Sequence, residues 1–124
     1  MRVAKRQYPY LSIFGNDYNT CDGTGVRDYI HVMDLAEGHV AALTHQKPKL
    51  EVYNLGSGKG TSVLELLQMF ETVTGVSIPY KYVDRREGDI DEVYASAEKA
   101  KQCLGWETKR TIEDICRDGY NFIK

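Results

Sequence analysis

EVYNLGSGKGTSVLELLQMFETVTG, residues 51–75, reads as a strand, a glycine-rich turn and a helix in immediate succession. Glu51 to Leu55 is a short β-prone run that Gly56 ends, the pattern of a buried strand. Ser62 and Glu65 have the spacing of a capping box, which satisfies two orphan N–H groups at a helix start. Behind it, Val63, Leu66, Leu67, Phe70 and Val73 recur at the 3.6-residue period that puts them on one face, and Gly75 stops the helix.

The same reading extends outward. Upstream, Leu11-Ser12-Ile13-Phe14 predicts a strand closed by Gly15-Asn16-Asp17, and Asn19 to Gly25 is a polar, turn-rich stretch. Tyr29 to Val32 is a brief β-prone run. Asp34 with Glu37 predicts the cap of a helix whose apolar side is Leu35, Ala36, Val40 and Leu43. Downstream, Ile78 to Val83 alternates like a strand. Helices are expected over 97–104, ended by Gly105, and over 112–123, opened by Thr111 and Asp114. The predicted order, β-α-β-α-β-α-α, is that of an α/β protein.

Composition narrows the function classes. The 124 residues are about one domain's worth, and no internal repeat is visible. Sixteen basic and eighteen acidic side chains give a net charge of −2, which argues against a general nucleic-acid binder. No apolar run approaches the ~20 residues of a membrane span. Arg2 to Arg6 is basic but is followed by Gln7-Tyr8-Pro9-Tyr10, not by an apolar signal core. The odd set Cys21, Cys103 and Cys116 fits a reduced, cytoplasmic setting, and with His31, His39 and His45 it makes no zinc-ligand spacing.

Three motifs imitate catalytic or phosphate sites. Gly56 to Thr61 sits where a phosphate loop would, but Walker spacing needs glycine at 53 and Ser or Thr at 60, and this chain has Tyr53 and Gly60. The dinucleotide pattern also fails, its third glycine falling one position early. A tight strand-to-helix turn is the expected role. Tyr120 and Lys124 spell Tyr-x-x-x-Lys, yet at the chain end with no coenzyme fold upstream, so coincidence is the expected reading. His31 and Asp34 lack an organised nucleophile and are expected to pack or cap.

Two segments combine arginine, aspartate and glycine: Phe14 to Val32, and Arg85-Arg86-Glu87-Gly88-Asp89. Two guanidinium forks suit a diphosphate, and a carboxylate suits the paired hydroxyls of a ribose. Arg–Asp neighbours also form surface ion pairs of little consequence. Chemistry alone leaves both readings open.

FGNDYNTCDGTGVRDYIHVMDLAEGHV, residues 14–40, resembles the UDP-glucose 4-epimerases nearly residue for residue. YNLGSGKGTSV at 53–63, RREGD at 85–89, Leu104-Gly105-Trp106 and Thr111 extend the likeness over residues 11–124. Residues 1–10 follow the family poorly, which divides the chain into a short tail and a UDP-sugar-binding domain. The resemblance implies an α/β fold, the C-terminal, substrate-binding portion of an extended short-chain dehydrogenase/reductase (Rossmann-like) fold without its coenzyme half.

It also implies a site. Ser12, Ile13 and Phe14 would lie along the uracil, largely through backbone contacts. Arg27 and Arg86 would clamp the diphosphate, Asp89 would take the ribose hydroxyls, and Tyr29 and Val63 would complete the pocket. Val93 would line the hexose pocket beside the C2 substituent, where a residue smaller than tyrosine admits UDP-N-acetylhexosamines beside UDP-glucose and UDP-galactose. In the family a hydride moves from the hexose C4 to NAD and returns to the other face. The coenzyme loop and catalytic tyrosine belong to a preceding half. This chain alone is therefore expected to hold neither NAD nor activity, to present apolar surface to solvent, and as part of the full-length enzyme to form a homodimer. The alternative is a non-catalytic module that binds UDP-sugars or a partner chain. A coenzyme fingerprint encoded in phase upstream would decide for the enzyme.

Overall fold

The computed structural model describes residues 1–45 and 48–123, a mixed α/β chain. Its elements are β1 (Leu11–Phe14), β2 (Val26–Arg27), α1 (Val32–Thr44), β3 (Thr61–Ser62), α2 (Val63–Thr74), β4 (Tyr80–Val83), β5 (Glu92–Val93), α3 (Glu98–Leu104) and α4 (Ile112–Ile123). β1 and β4 pair in parallel. β2 lies between β3, antiparallel to it, and β5, parallel to it.

α2 forms as its spacing predicts. Ser62 Oγ accepts from the Glu65 N–H, the Glu65 carboxylate accepts from the Ser62 N–H, and Gly75 closes the helix at φ 69°. Leu67 and Phe70 face inward and pack with Ile13, Ile78 and Cys116 into one core. α4 lies against α2, Phe70 meeting the Tyr120 ring edge-on at 5.9 Å between centroids. A second core gathers Ala100, Leu104 and Trp106 with Ile30, Tyr53 and Leu55 beside them. Residues 1–7 turn back through bonds such as Gln7 N–H to the Arg2 carbonyl (2.9 Å), and Val3 and Ala4 pack against the first core.

Three local expectations are corrected. Glu51–Leu55 forms no strand: Tyr53 and Leu55 pack inward while Val52 is 68% exposed, and no neighbouring strand pairs with it among the described residues. Alternation needs a partner ladder to become a strand. The strand nearest the β-prone run at Tyr29 lies upstream of it, at Val26–Arg27, because the chain enters α1 already at Val32. His31, not Asp34, caps that helix, its Nδ1 accepting from the Met33 N–H at 3.0 Å. Asp34 sits fully buried inside the first turn. Its carboxylate accepts from the backbone N–H groups of Lys109 (3.1 Å) and Arg110 (3.0 Å) and pairs with the Arg110 guanidinium. A partner 75 residues away outweighs the local capping role.

Candidate functional site

β1 runs into a turn that only glycine takes easily, Gly15 at φ 83°. The polar loop beyond it is held internally: Tyr18 N–H bonds the Gly23 carbonyl at 3.0 Å, and Asp22 accepts from the Thr24 N–H (2.9 Å) and hydroxyl (2.7 Å). The loop delivers the chain to β2, where Arg27 lies in register with Thr61 of β3 and Val93 of β5. The segment 84–91 closes over the same place.

Arg27 and Arg86 converge on Asp89. Arg86 grips it in a fork, Nε at 2.9 Å and Nη2 at 3.2 Å, and Arg27 Nη2 lies 3.5 Å away. Arg27 is steadied by the Val26 carbonyl at 2.7 Å. The Arg86 guanidinium also lies 4.9 Å from the Phe14 ring centroid. The hydrogen bonds from Arg86, joined by the charge of Arg27, hold the Asp89 carboxyl below the usual carboxylate range. Two guanidiniums against one carboxylate leave one net positive charge, in the planar, forked form that recognises phosphate oxygens.

β1 adds a backbone edge to this cluster. Leu11 and Gly15 donate their N–H groups to Pro79 and Val83, each at 2.8 Å, so the odd-numbered residues face β4. Strand alternation turns the N–H and C=O groups of Ser12 and Phe14 to the opposite edge, which pairs with no strand among the described residues. The Ile13 side chain is 1% exposed and belongs to the core, and its backbone groups, like those of the other odd-numbered residues, are turned to β4.

Tyr29 and Val63 occupy other ground. Both line a cavity of about 360 Å³ whose walls include Leu11, Leu67, Phe70 and Ile78. Burial pushes the Tyr29 phenol up, against the opposing charge of Arg27. The structure thus brings Arg27, Arg86, Asp89, Phe14 and Val93 together around one polar face and sets Tyr29 and Val63 on an apolar one.

Sequence reasoning missed several contributors. Tyr18 is 4% exposed, with its hydroxyl 3.5 Å from Asp89 Oδ2. The Asp91 carbonyl accepts from the Val26 N–H at 2.9 Å. Asp28 ties three segments: Oδ1 accepts from the Ser57 N–H (3.0 Å) and hydroxyl, and Oδ2 from the N–H groups of Gly58 (3.1 Å) and Ala95 (3.2 Å). Burial opposes ionisation of Asp28, yet these bonds outweigh it and set its carboxyl below the usual range. The signals were present, in the FGNDY loop and the Val-Arg-Asp core, but nothing local distinguishes a latch residue from a solvated one.

The same aspartate decides what the glycine-rich turn can hold. The Ser57 and Gly58 N–H groups, which a phosphate loop would aim at its ligand, already hold the Asp28 carboxylate. A resident anion there repels a second one, so these residues do not fit the pyrophosphate of NAD. His31 caps α1 and its Nε2 lies 3.3 Å from Asp118, a structural placement. The Tyr120–Lys124 pair falls partly outside the described residues, which end before Lys124. Among the described residues, no helix is long and apolar enough to cross a membrane.

The fold and this site place the chain in the extended short-chain dehydrogenase/reductase class. A family model described as GDP-mannose 4,6 dehydratase matches residues 2–119, and the chain belongs to that family. It is 55% identical over 124 residues to a UDP-glucose 4-epimerase of Cyamopsis tetragonoloba, covering 98% of this chain and 35% of that protein. A UDP-glucose 4-epimerase of Bacillus subtilis is 53% identical, covering 98% and 36%. Among solved structures, the UDP-glucose 4-epimerase of Bifidobacterium longum in complex with NAD+ and UDP superposes with a TM-score of 0.93 at 48% identity, covering 98% of this chain and 36% of that one. The chain thus spans about a third of the length of the relatives it matches.

Proposed function

We propose that this chain is the nucleotide anchor of a UDP-hexose 4-epimerase, binding the UDP part of UDP-glucose and UDP-galactose. The observation that carries the reading is the convergence of Arg27 and Arg86 beside the open edge of β1. Uracil offers one N–H donor and two carbonyl acceptors, which complement the N–H and C=O groups of Ser12 and Phe14. The diphosphate then meets the two guanidiniums, while Asp89 turns its acceptors to the ribose hydroxyls. Strong binding at the nucleotide end leaves the hexose free to reorient between hydride steps.

In this reading NAD and the catalytic tyrosine belong to polypeptide outside this chain, and the chain alone does not epimerise. The face of α1 supports that division. Met33, Val40 and Leu43 stand 49%, 59% and 66% exposed at helical spacing, an apolar stripe suited to burial against another surface. Val93 is in register with Arg27 and 46% exposed, which supports a place for it beside a hexose joined to the diphosphate. Its small side chain favours acceptance of UDP-N-acetylhexosamines. A homodimeric enzyme working in the cytoplasm completes the reading, in keeping with three unpaired thiols.

Calorimetric titration with UDP tests the anchor. The chain is expected to bind UDP, with an affinity that falls as salt rises. Arg27→Ala should weaken binding roughly tenfold, the loss of a charge-assisted bond, and Arg86→Ala should weaken it as well. Unchanged affinity in both variants would return the two arginines to the role of surface ion pairs.

A further inference from the structure

The neighbouring arginines 85 and 86 point at different partners. Arg86 reaches Asp89 and Phe14. Arg85 turns to the other loop: its Nε donates to Asp17 Oδ1 at 2.7 Å, its Nη2 to the Asp17 carbonyl at 2.6 Å, and its guanidinium carbon lies 3.9 Å over the Tyr18 ring. Its Nη1 stands 3.8 Å from an Asp91 carboxylate oxygen. One side chain therefore joins the 15–25 loop to the segment that carries Arg86, Asp89 and Asp91.

The room for this joint is built in at Gly15. A Cβ there would fall 2.5 Å from Tyr18 Cε2 and 2.8 Å from Arg85 Cγ. The Tyr18 ring, next to that glycine and stacked by the guanidinium, puts its hydroxyl 3.5 Å from Asp89 Oδ2. Asp89 in turn meets both Arg86 and Arg27. A stacked, two-pronged arginine resists reorientation in a way that a single ammonium does not.

We infer that Arg85 is a positioning residue for the nucleotide site: by clamping Asp17 and Tyr18 it fixes Asp89, and through Asp89 the two phosphate-facing arginines. This rests on the UDP-binding reading above. The Arg85 guanidinium is taken up by Asp17, Tyr18 and Asp91, so its effect on a ligand is exerted through geometry. Its charge is met by Asp17 and Asp91, which makes it a poor source of long-range attraction.

The test compares Arg85→Met, Arg85→Lys and Tyr18→Phe with the unaltered chain. Two quantities are read: UDP affinity by calorimetry, and amide hydrogen exchange without ligand. Arg85→Met is expected to speed exchange at Tyr18 and Asp89 while α2 and α4 keep their protection. It should also weaken UDP binding roughly tenfold, the effect of removing one charge-assisted hydrogen bond. Arg85→Lys keeps the charge, yet should behave like Arg85→Met, because an ammonium cannot bond Asp17 twice and stack on Tyr18 together. Tyr18→Phe should weaken UDP binding in the same direction by a smaller factor. Full recovery of affinity in Arg85→Lys would make the residue a plain electrostatic contributor and overturn the inference. So would ordinary exchange at Tyr18 and Asp89 in Arg85→Met. If the unaltered chain binds no UDP, the anchor reading fails by itself, and the exchange measurement alone then judges the clamp.

Discussion

Asp28→Asn isolates one carboxylate that holds the site's frame. Its two oxygens each accept from two donors: Ser57 N–H and hydroxyl on one, Gly58 and Ala95 N–H on the other. An amide can offer its oxygen to one pair only, so its NH₂ group confronts the other pair donor to donor. Hydrogen bonds to a charged group contribute about 1.5–3 kcal/mol each. Removal of two such bonds sets an upper bound, and water reaching the exposed Gly58 reduces it, so we expect a loss of roughly 2–3 kcal/mol. That is a large share of the ~5–15 kcal/mol typical of a whole domain. Urea denaturation followed by Trp106 fluorescence measures it, since Trp106 is the single tryptophan and is 5% exposed in the core that holds Leu55.

The acid arm sharpens the test. The folded-state pKa of Asp28 is depressed, so its contribution is fully present above the unfolded value of about 3.9 and is lost as pH falls through the folded value. Asparagine has no such titration, and the gap between wild type and variant should therefore narrow on acidification below about pH 4. A variant within about 0.5 kcal/mol of wild type at neutral pH would class Asp28 with ordinary surface substitutions. A gap that ignores acid would do the same to the carboxylate argument.

Asp34→Ala strips a fully buried carboxylate from two backbone N–H groups and the Arg110 guanidinium, and should cost at least about 3 kcal/mol by the same denaturation assay. Ser62→Ala removes the capping box of α2 and the hydroxyl bonded to Asp22, with an expected loss of about 1–2 kcal/mol read from the urea midpoint. In a polypeptide joining this chain to a coenzyme-binding half, Val93→Tyr should abolish turnover of UDP-N-acetylhexosamines while sparing UDP-glucose, because a packed wall rejects by clash. Equal turnover of both substrates before and after the change would place the gate elsewhere.

α2 was legible because every signal for it lies within about a dozen residues: the Ser62–Glu65 box, the apolar period and the Gly75 stop are local facts of backbone geometry. The stops at Gly75 and Gly105 follow for the same reason, both residues adopting the left-handed conformation. Naming Arg27, Arg86 and Asp89 as candidates rested on the family resemblance of the runs that hold them, since residue chemistry alone left surface ion pairs equally open. What the tertiary structure decided lies across long sequence separations. The pairing of Val26–Arg27 with Glu92–Val93 joins two-residue strands too short for any periodicity to announce. Asp34 has the spacing of a cap, yet a fully buried carboxylate is stable only with its charge met, and Arg110, 76 residues on, meets it. Glu51–Leu55 has a strand's composition, but a strand is a relation between two segments, and that relation is absent among the described residues. Residue type by itself does not separate Arg85 from Arg86. Only the placement of Asp17 and Tyr18 on one side and Asp89 on the other gives the two arginines different partners.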